Sequence, residues 1–350
     1  MEENYPLIQS VLSGFGLGFS NDQIKKLGNG HINKTYLLDG PAKFVLQCIN
    51  INVFTRPDVI ADNLRLAAQH LNKKFPEYLF LKAAKTKTGE DMMWDETGIP
   101  WRLYPYILNT MTLESVSTPE EAYEAARGFA SLTKKLDGAP VDKFKPTIDK
   151  FQDLTWRYQQ LQDAITNAHE GRLMEAADVV EQAQTFSFLV DEYVMWTDGG
   201  KLKPRVVHND TKINNILFDS RSNKAIAVID LDTLMPGYFI YDLGDMVRTF
   251  VSPVSEEEHD LSLISFRFPF YQKLLEGYLS EMDDCLTTDE KEAIPYSGQM
   301  MTYIMAIRFL ADYLNGDVYY HTTYPGQNLV RARNQLRLLS LIRQNLAPGI

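Results

Sequence analysis

Cysteine is almost missing from this chain: Cys48 and Cys285 are the only two among 350 residues. Two thiols so far apart in sequence make neither a disulfide framework nor a metal-ligand spacing. They are expected as free, buried thiols. Long hydrophobic runs are missing too, and none approaches the roughly 18–20 residues that a membrane helix needs. The opening MEENYPLIQSVLSGFG carries the acidic pair Glu2-Glu3 and no basic segment, which argues against a secretory or transit peptide. The expectation is a cytosolic (cytoplasmic) protein without a membrane partner. Positive charge is also scarce. The formal net charge is -11, and no basic tract reverses it, which opposes nucleic-acid binding. An anionic ligand would need a locally positive or metal-filled pocket. Low-complexity segments and evident repeats are absent.

What is present is core-forming material, 45% hydrophobic residues beside 23% charged. That suits a full core and favours two lobes over one. Strand-like segments occur at Ile24–Leu27, Thr35–Leu38 and Lys43–Ile49, the last after the turn-prone Asp39-Gly40-Pro41. Pro57 opens a helix to about Lys73, with Val59, Ile60, Leu64, Ala67, Ala68 and Leu71 at helical spacing. Further strands are expected at Tyr78–Leu81 and Trp101–Ile107. After Asn109 the pattern turns helical, over about 118–136, 149–168 and 173–196, with Thr118 as N-cap and Pro119 at the first position. A strand-rich patch at about 205–232 interrupts these helices, which then resume to the C-terminus. The expected organisation is a small sheet lobe, 1–107, and a larger mostly helical lobe, 108–350.

The densest chemistry is VVHNDTKINNIL, residues 206–217. Asp210 and Asn215 lie in a segment between two short strands, and an apolar strand then ends in Asp230-Leu231-Asp232. Hard cations such as Mg²⁺ take a few oxygen ligands of this kind and complete their shell with water and phosphate. The set suits metal-assisted phosphoryl transfer, which needs a carboxylate near the acceptor hydroxyl, bridging metal and positive charge. Asp210 fits the first role, Asn215 and Asp230 the second, and Lys212 the third. Asp232 is either another metal ligand or a substrate contact. His208 is expected to brace the loop by hydrogen bonding. Polar groups clustered beside apolar strands need partners, and a metal–phosphate site supplies them.

His208-x-Asp210-x-x-x-x-Asn215 followed by Ile229-Asp230 resembles the motifs of the protein-kinase-like superfamily. It looks in particular like the aminoglycoside phosphotransferase and choline kinase branch. Gly28-Asn29-Gly30-His31-Ile32-Asn33, Leu46-Gln47 with Ile49-Asn50, HNDTKxNNIL, IDLDTxMPG and RFLADYLxGDxY together resemble the N-acetylhexosamine 1-kinases, from about residue 20 to residue 340. The resemblance implies a two-lobed α+β kinase-like fold, with a small N-terminal antiparallel-sheet lobe and a larger, mostly helical C-terminal lobe, and ATP and Mg²⁺ as cofactors. It places Gly28 and Gly30 over the ATP phosphates, Tyr104, Tyr106 and Ile107 at the adenine hinge, and Asp210 as base. Asn215 and Asp230 hold Mg²⁺. His31, Asn33, Arg308 and Asp312 are candidates for holding the sugar. Taken alone, Gly28-Asn29-Gly30 also reads as a hairpin turn, and Arg308 with Asp312 as an i,i+4 ion pair.

One departure stands out. The third strand of that superfamily carries a phosphate-gripping Lys paired with a Glu on the next helix. Here Gln47 fills the slot, and the helix at 57–73 has no Glu. A Gln47–Asn63 hydrogen bond is expected to keep the strand–helix contact, with Lys212 and Mg²⁺ carrying the charge. The implied activity is phosphorylation of N-acetylglucosamine or N-acetylgalactosamine at the anomeric 1-hydroxyl. Kinases of other sugars, amino alcohols or antibiotics are the alternatives, with a nucleotide-binding pseudokinase as a different class.

Overall fold

The structure is a computed structural model and describes residues 4–27 and 33–346. Its N-terminal part is built on five antiparallel strands in the order β1-β2-β3-β5-β4: β1 Ile24–Lys26, β2 Lys34–Asp39, β3 Lys43–Cys48, β4 Met93–Trp94 and β5 Pro100–Pro105. Side chains alternate between the faces of a strand, and the register sorts them into rows. Tyr36, Leu46 and Leu103 pair across β2, β3 and β5 and pack on the outer face with Leu38 and Trp101. Helix α1, Tyr5–Gly14, covers this face with Ile8, Val11 and Leu12. The sequence reading missed α1, although Asn4 caps it by accepting the Leu7 N–H at 3.2 Å.

The opposite face carries two rows. Leu37, Val45 and Tyr104 pair across the same strands, and beside them Thr35, Gln47 and Arg102 form a polar row. Helix α2, Pro57–Lys74, starts on its proline as expected. The strand expected at 78–81 does not form. Phe80 instead turns into the helical core, where it joins Ala67 and Leu71 of α2.

The chain then crosses to β6, Thr110–Met111, and to α3, Pro119–Leu136, where Thr118 and Glu121 make a reciprocal capping box. The helix α4 is Leu154–Asn167. The single helix expected over 173–196 is three: α5 Glu170–Glu175, α6 Ala177–Thr185 and α7 Phe188–Thr197. Buried Ala176 and Phe186 sit at the two breaks, so the bends swing both residues into the core. Next come β7 Arg205–Val207, β8 Ile216–Asp219, β9 Ala225–Val228 and β10 Met235–Gly237. β8 and β9 form a hairpin extended by β6, and β10 pairs with β7.

The remaining helices are α8 Phe239–Phe250, α9 Phe268–Met282, α10 Thr288–Glu292, α11 Ile294–Leu314 and α12 Gln327–Leu346. α8 lies almost in contact with the backbone of α11, because Gly244 faces the Ser297 carbonyl and Gly298 faces Val247. A Cβ on Gly244 would come within 2.3 Å of that carbonyl oxygen. No helix among the described residues is long and apolar enough to cross a membrane. Cys48 and Cys285 are free and half-buried.

Candidate active site

The loop after β7 is held from below by α8. Asp242 accepts the His208 N–H at 3.0 Å and the Asn209 N–H at 2.7 Å, and Asp245 accepts the Thr211 N–H at 2.9 Å. Asn209 is in the left-handed region, φ 67°, which Asn tolerates better than most residues. His208 braces the loop: its Nε2 bonds the Ile229 carbonyl at 2.9 Å, and its ring lies edge-on to Phe129 at 5.3 Å. The sequence reading missed Asp242 and Asp245. Their signal was Asp242-x-x-Asp245-x-x-Arg248 at helical spacing within an apolar helix.

So anchored, the loop presents Asp210, Lys212 and Asn215 together. Lys212 Nζ lies 3.4 Å from Asp210 Oδ1, and Asn215 donates its amide to Asp210 Oδ2 at 3.1 Å. Desolvation pushes the Asp210 carboxyl up, but the charges of Lys212, His208 and Arg248 outweigh it and hold the group below the usual carboxylate range. In turn Asp210 raises the Lys212 ammonium.

Asp230 follows β9 in a left-handed conformation, φ 55°. Solvent reaches it, yet protein crowds it. Desolvation, then Asp232 and Asp210, push its carboxyl up to about 6. No described residue donates a hydrogen bond to this carboxylate, and none donates to Asn215 Oδ1. Two hard oxygen donors therefore stand ready for a cation, and the repulsion around Asp230 is what a cation would relieve. No three His, Cys, Asp or Glu side chains among the described residues form a metal cluster by themselves. That donor set fits Mg²⁺, which keeps several waters and phosphate oxygens.

Asp232 has a different setting. Its oxygens accept from Asn33 Nδ2 at 2.7 Å and from the Arg102 guanidinium, in a buried ion pair. Arg102 was missed from the sequence, where it is one polar residue in an apolar strand. The expected Gln47–Asn63 bond does not form. Gln47 Oε1 accepts from Arg102 Nε at 3.0 Å and its amide bonds Thr35 Oγ1 at 3.3 Å, while Asn63 bonds the backbone of Lys145 and Leu234. The cross-strand neighbour simply lies closer to Gln47 than the helix does.

Tyr104 sits under the Arg102 guanidinium at 5.3 Å, and desolvation pushes its hydroxyl up to about 12. The Tyr106 N–H bonds the Lys43 carbonyl at 3.0 Å, and the Ile107 carbonyl accepts from Thr110 at 2.7 Å. Gly28, Gly30 and His31 lie outside the described residues.

Arg308 and Asp312 make no i,i+4 ion pair. Asp312 accepts the backbone N–H groups of Val318, Tyr319 and Tyr320 and the Asn328 amide. Arg308 stacks on Phe151, Tyr319 and Tyr320 at 5.1–5.9 Å, with no carboxylate in ion-pair reach among the described residues.

An antiparallel sheet whose polar row is joined through Arg102–Asp232 to a mostly helical part carrying the Asp210 loop defines a two-lobed kinase-like α+β protein. The chain belongs to APH, the phosphotransferase enzyme family, whose model matches residues 23–271. Solved structures of the same fold include a microcompartment-associated aminopropanol kinase, at 18% identity, TM-score 0.65 and 98% of each chain covered. An amicoumacin kinase matches at 14% identity and TM-score 0.62, covering 97% of this chain and 94% of its own. A spectinomycin phosphotransferase matches at 12% identity and TM-score 0.60, covering 98% and 99%.

Proposed function

We propose that this protein transfers the γ-phosphoryl group of ATP to the anomeric hydroxyl of an N-acetylhexosamine. The observation that carries the phosphotransfer reading is the clustering of Asp210, Lys212 and Asn215 on a loop braced by two buried acids, with Asp230 unpartnered beside it. The amicoumacin kinase was solved with AMP-PNP and Ca²⁺, and the spectinomycin phosphotransferase with ADP, which supports a nucleotide in the corresponding cleft here. The acceptor preference rests on the sequence resemblance, including RFLADYLxGDxY at residues 308–319, and on Arg308, a guanidinium stacked on three rings with no acidic partner among the described residues.

The chemistry balances without further groups. The Asp210 carboxylate takes the acceptor O–H proton as the oxygen bonds to the γ-phosphorus, and the bond from that phosphorus to the β,γ-bridging oxygen breaks to release ADP. An anomeric hydroxyl is more acidic than an ordinary alcohol, so a carboxylate held ionised by Lys212 is an adequate base. Lys212 stands beside the transferring group as positive charge. Asn215 and Asp230 would hold Mg²⁺, which when bound offsets phosphate charge. The apolar row Leu37, Val45 and Tyr104 forms the adenine roof, with Tyr106 and Ile107 at the hinge; Gly28 and Gly30, outside the described residues, are assigned to the phosphates by the sequence resemblance alone. Arg308 contacts the sugar; His31, outside the described residues, is assigned to it by the sequence resemblance alone. Asp312 holds the Tyr319–Tyr320 segment, and Asn33 positions Asp232.

The test is ADP release from ATP and Mg²⁺ across free N-acetylhexosamines, other sugars, amino alcohols and aminoglycosides. Turnover with the N-acetylhexosamines and a C1 phosphate are expected. A C6 phosphate, or turnover only with amino alcohols or aminoglycosides, overturns the acceptor assignment. No turnover with any acceptor sinks the kinase reading. Asp210→Asn should lose on the order of 10²–10⁴ in turnover while still binding nucleotide.

A further inference from the structure

We propose that Arg102 is the phosphate-gripping cation of this protein, supplied from β5 in place of the lysine that kinase-like folds carry on β3. The proposal rests on the phosphotransfer reading above and names a residue that reading lacks.

The register makes the case. Gln47 occupies the lysine slot, and Arg102 is its directly paired neighbour on the adjacent strand, so both side chains leave the same face of the sheet. Their hydrogen bond, Nε to Oε1 at 3.0 Å, places the guanidinium under the patch that a β3 cation would serve. The next row on this face is the apolar Leu37, Val45 and Tyr104. An adenine ring under the apolar row directs its phosphates along the sheet to the polar one, and in that row Arg102 is the only cation.

The partner is rewired as well. In the usual arrangement a Glu on the following helix pairs with the lysine. Here α2 offers Asn63, whose side chain is engaged with backbone elsewhere, and the acid comes from the other side of the cleft. Asp232 stands two residues past Asp230, so the ion pair joins the sheet to the turn that carries the candidate cation ligand. Asn33, which borders the glycine-rich segment, bonds the same carboxylate at 2.7 Å. Arg102 is 3% exposed, a burial that needs compensation of this kind. A guanidinium suits the task better than an ammonium. Its planar fork can hold a carboxylate along one edge and a phosphate oxygen along another, whereas a lysine offers a point charge. Lys212, beside Asp210, serves the transferring group from the loop, and Arg248 is locked between Asp245 and Glu256, which leaves Arg102 as the cation on the sheet side.

The test is calorimetric binding of two probes, Mg·ADP and adenosine, to the full-length protein, with thermal unfolding run on each variant. Arg102→Gln alone strands Asp232 as a buried charge, so the decisive variant is the paired change Arg102→Gln with Asp232→Asn, which removes both charges and leaves two neutral amides at the paired positions. Mg·ADP affinity should fall about tenfold or more in the paired variant while adenosine affinity stays within about twofold, the signature of a lost charge-assisted phosphate contact. Arg102→Lys should restore part of the loss. A wild-type ratio of the two affinities in a folded paired variant overturns the proposal, and so does an equal loss of both probes, which marks a structural role only. Wild-type protein that binds neither probe refutes the phosphotransfer reading itself, an outcome distinguishable from the other two.

Discussion

The Asp242 carboxylate accepts the Asn209 backbone N–H at 2.7 Å, joining a residue of α8 to a loop residue 33 positions earlier in sequence. Its other oxygen takes the His208 N–H at 3.0 Å, and Thr211 Oγ1 bonds the Asp242 carbonyl at 2.7 Å. One helical residue therefore holds three residues, His208, Asn209 and Thr211, of the loop that carries Asp210. Burial pushes this carboxyl above the usual carboxylate range, and His208 and the two backbone donors offset only part of that rise.

Asp242→Ala would strand two buried N–H groups. Each such group costs about 1–3 kcal/mol, so a loss of about 2–6 kcal/mol is expected in urea unfolding. Turnover should fall further than stability alone explains, because Asp210 loses its mount. Asp242→Asn keeps one acceptor and should cost less on both counts. An alanine variant within about 0.5 kcal/mol of wild type would contradict the assigned role.

The position of α8 depends in turn on its crossing with α11. Gly244→Ala drives a methyl into a backbone carbonyl, which cannot rotate away, whereas Gly298→Ala meets a Val247 side chain at 2.5 Å. Overpacking costs about 1–3 kcal/mol and more where nothing yields, so Gly244→Ala should lower Tm more than Gly298→Ala. The opposite ranking would mean that the helices separate at little cost.

Cation dependence follows from the unpartnered oxygens of Asp230 and Asn215. With ADP present, Mg²⁺ should raise the unfolding temperature of the wild-type protein, since ligation of the native state stabilises by mass action; about 2.7 kcal/mol is expected at a hundredfold excess over Kd. Asp230→Asn should abolish most of the Mg²⁺-dependent shift and leave the shift from adenosine intact. An undiminished Mg²⁺ response in that variant would place the cation elsewhere.

The parts legible in the sequence were those whose partners are local. Asp210, Lys212 and Asn215 lie within six residues and meet in space; the Pro57 and Thr118 helix starts are read from their own first turns. What stayed hidden depends on long-range pairing. Gln47 was visible as an oddity, but its real neighbour Arg102 is set by β3–β5 register, which no periodicity reveals. The pair Arg308 and Asp312 looked like a surface ion pair because spacing says nothing of the Val318–Tyr320 backbone that Asp312 caps. The α5–α7 breaks were hidden because an apolar pattern continues across Ala176 and Phe186 while the chain bends to bury them.

The strand that leads into the loop carrying Asp210 is anchored by a further buried ion pair, Arg205 with Glu290, both essentially inaccessible to solvent. Glu290 also accepts the Lys203 N–H at 3.0 Å and the Thr287 N–H at 2.9 Å. Burial acts to raise this carboxyl, but Arg205 and the two backbone donors prevail and hold it below the ordinary glutamate value. A carboxyl depressed in the folded state contributes stability above its unfolded pKa, about 4.3, and that contribution is lost as pH falls through the lower folded value. Stability of the wild-type protein should therefore decline on acidification below about pH 4 more steeply than that of Glu290→Gln, which carries no titrating group there. At pH 7 the same variant leaves the buried Arg205 with the more distant Asp137, at 3.8 Å, as its remaining counter-charge, and a cost of about 3 kcal/mol is expected. The difference between the two unfolding free energies should shrink as pH is lowered. Parallel profiles from pH 7 to pH 3 would show that the Glu290 charge contributes nothing to the fold.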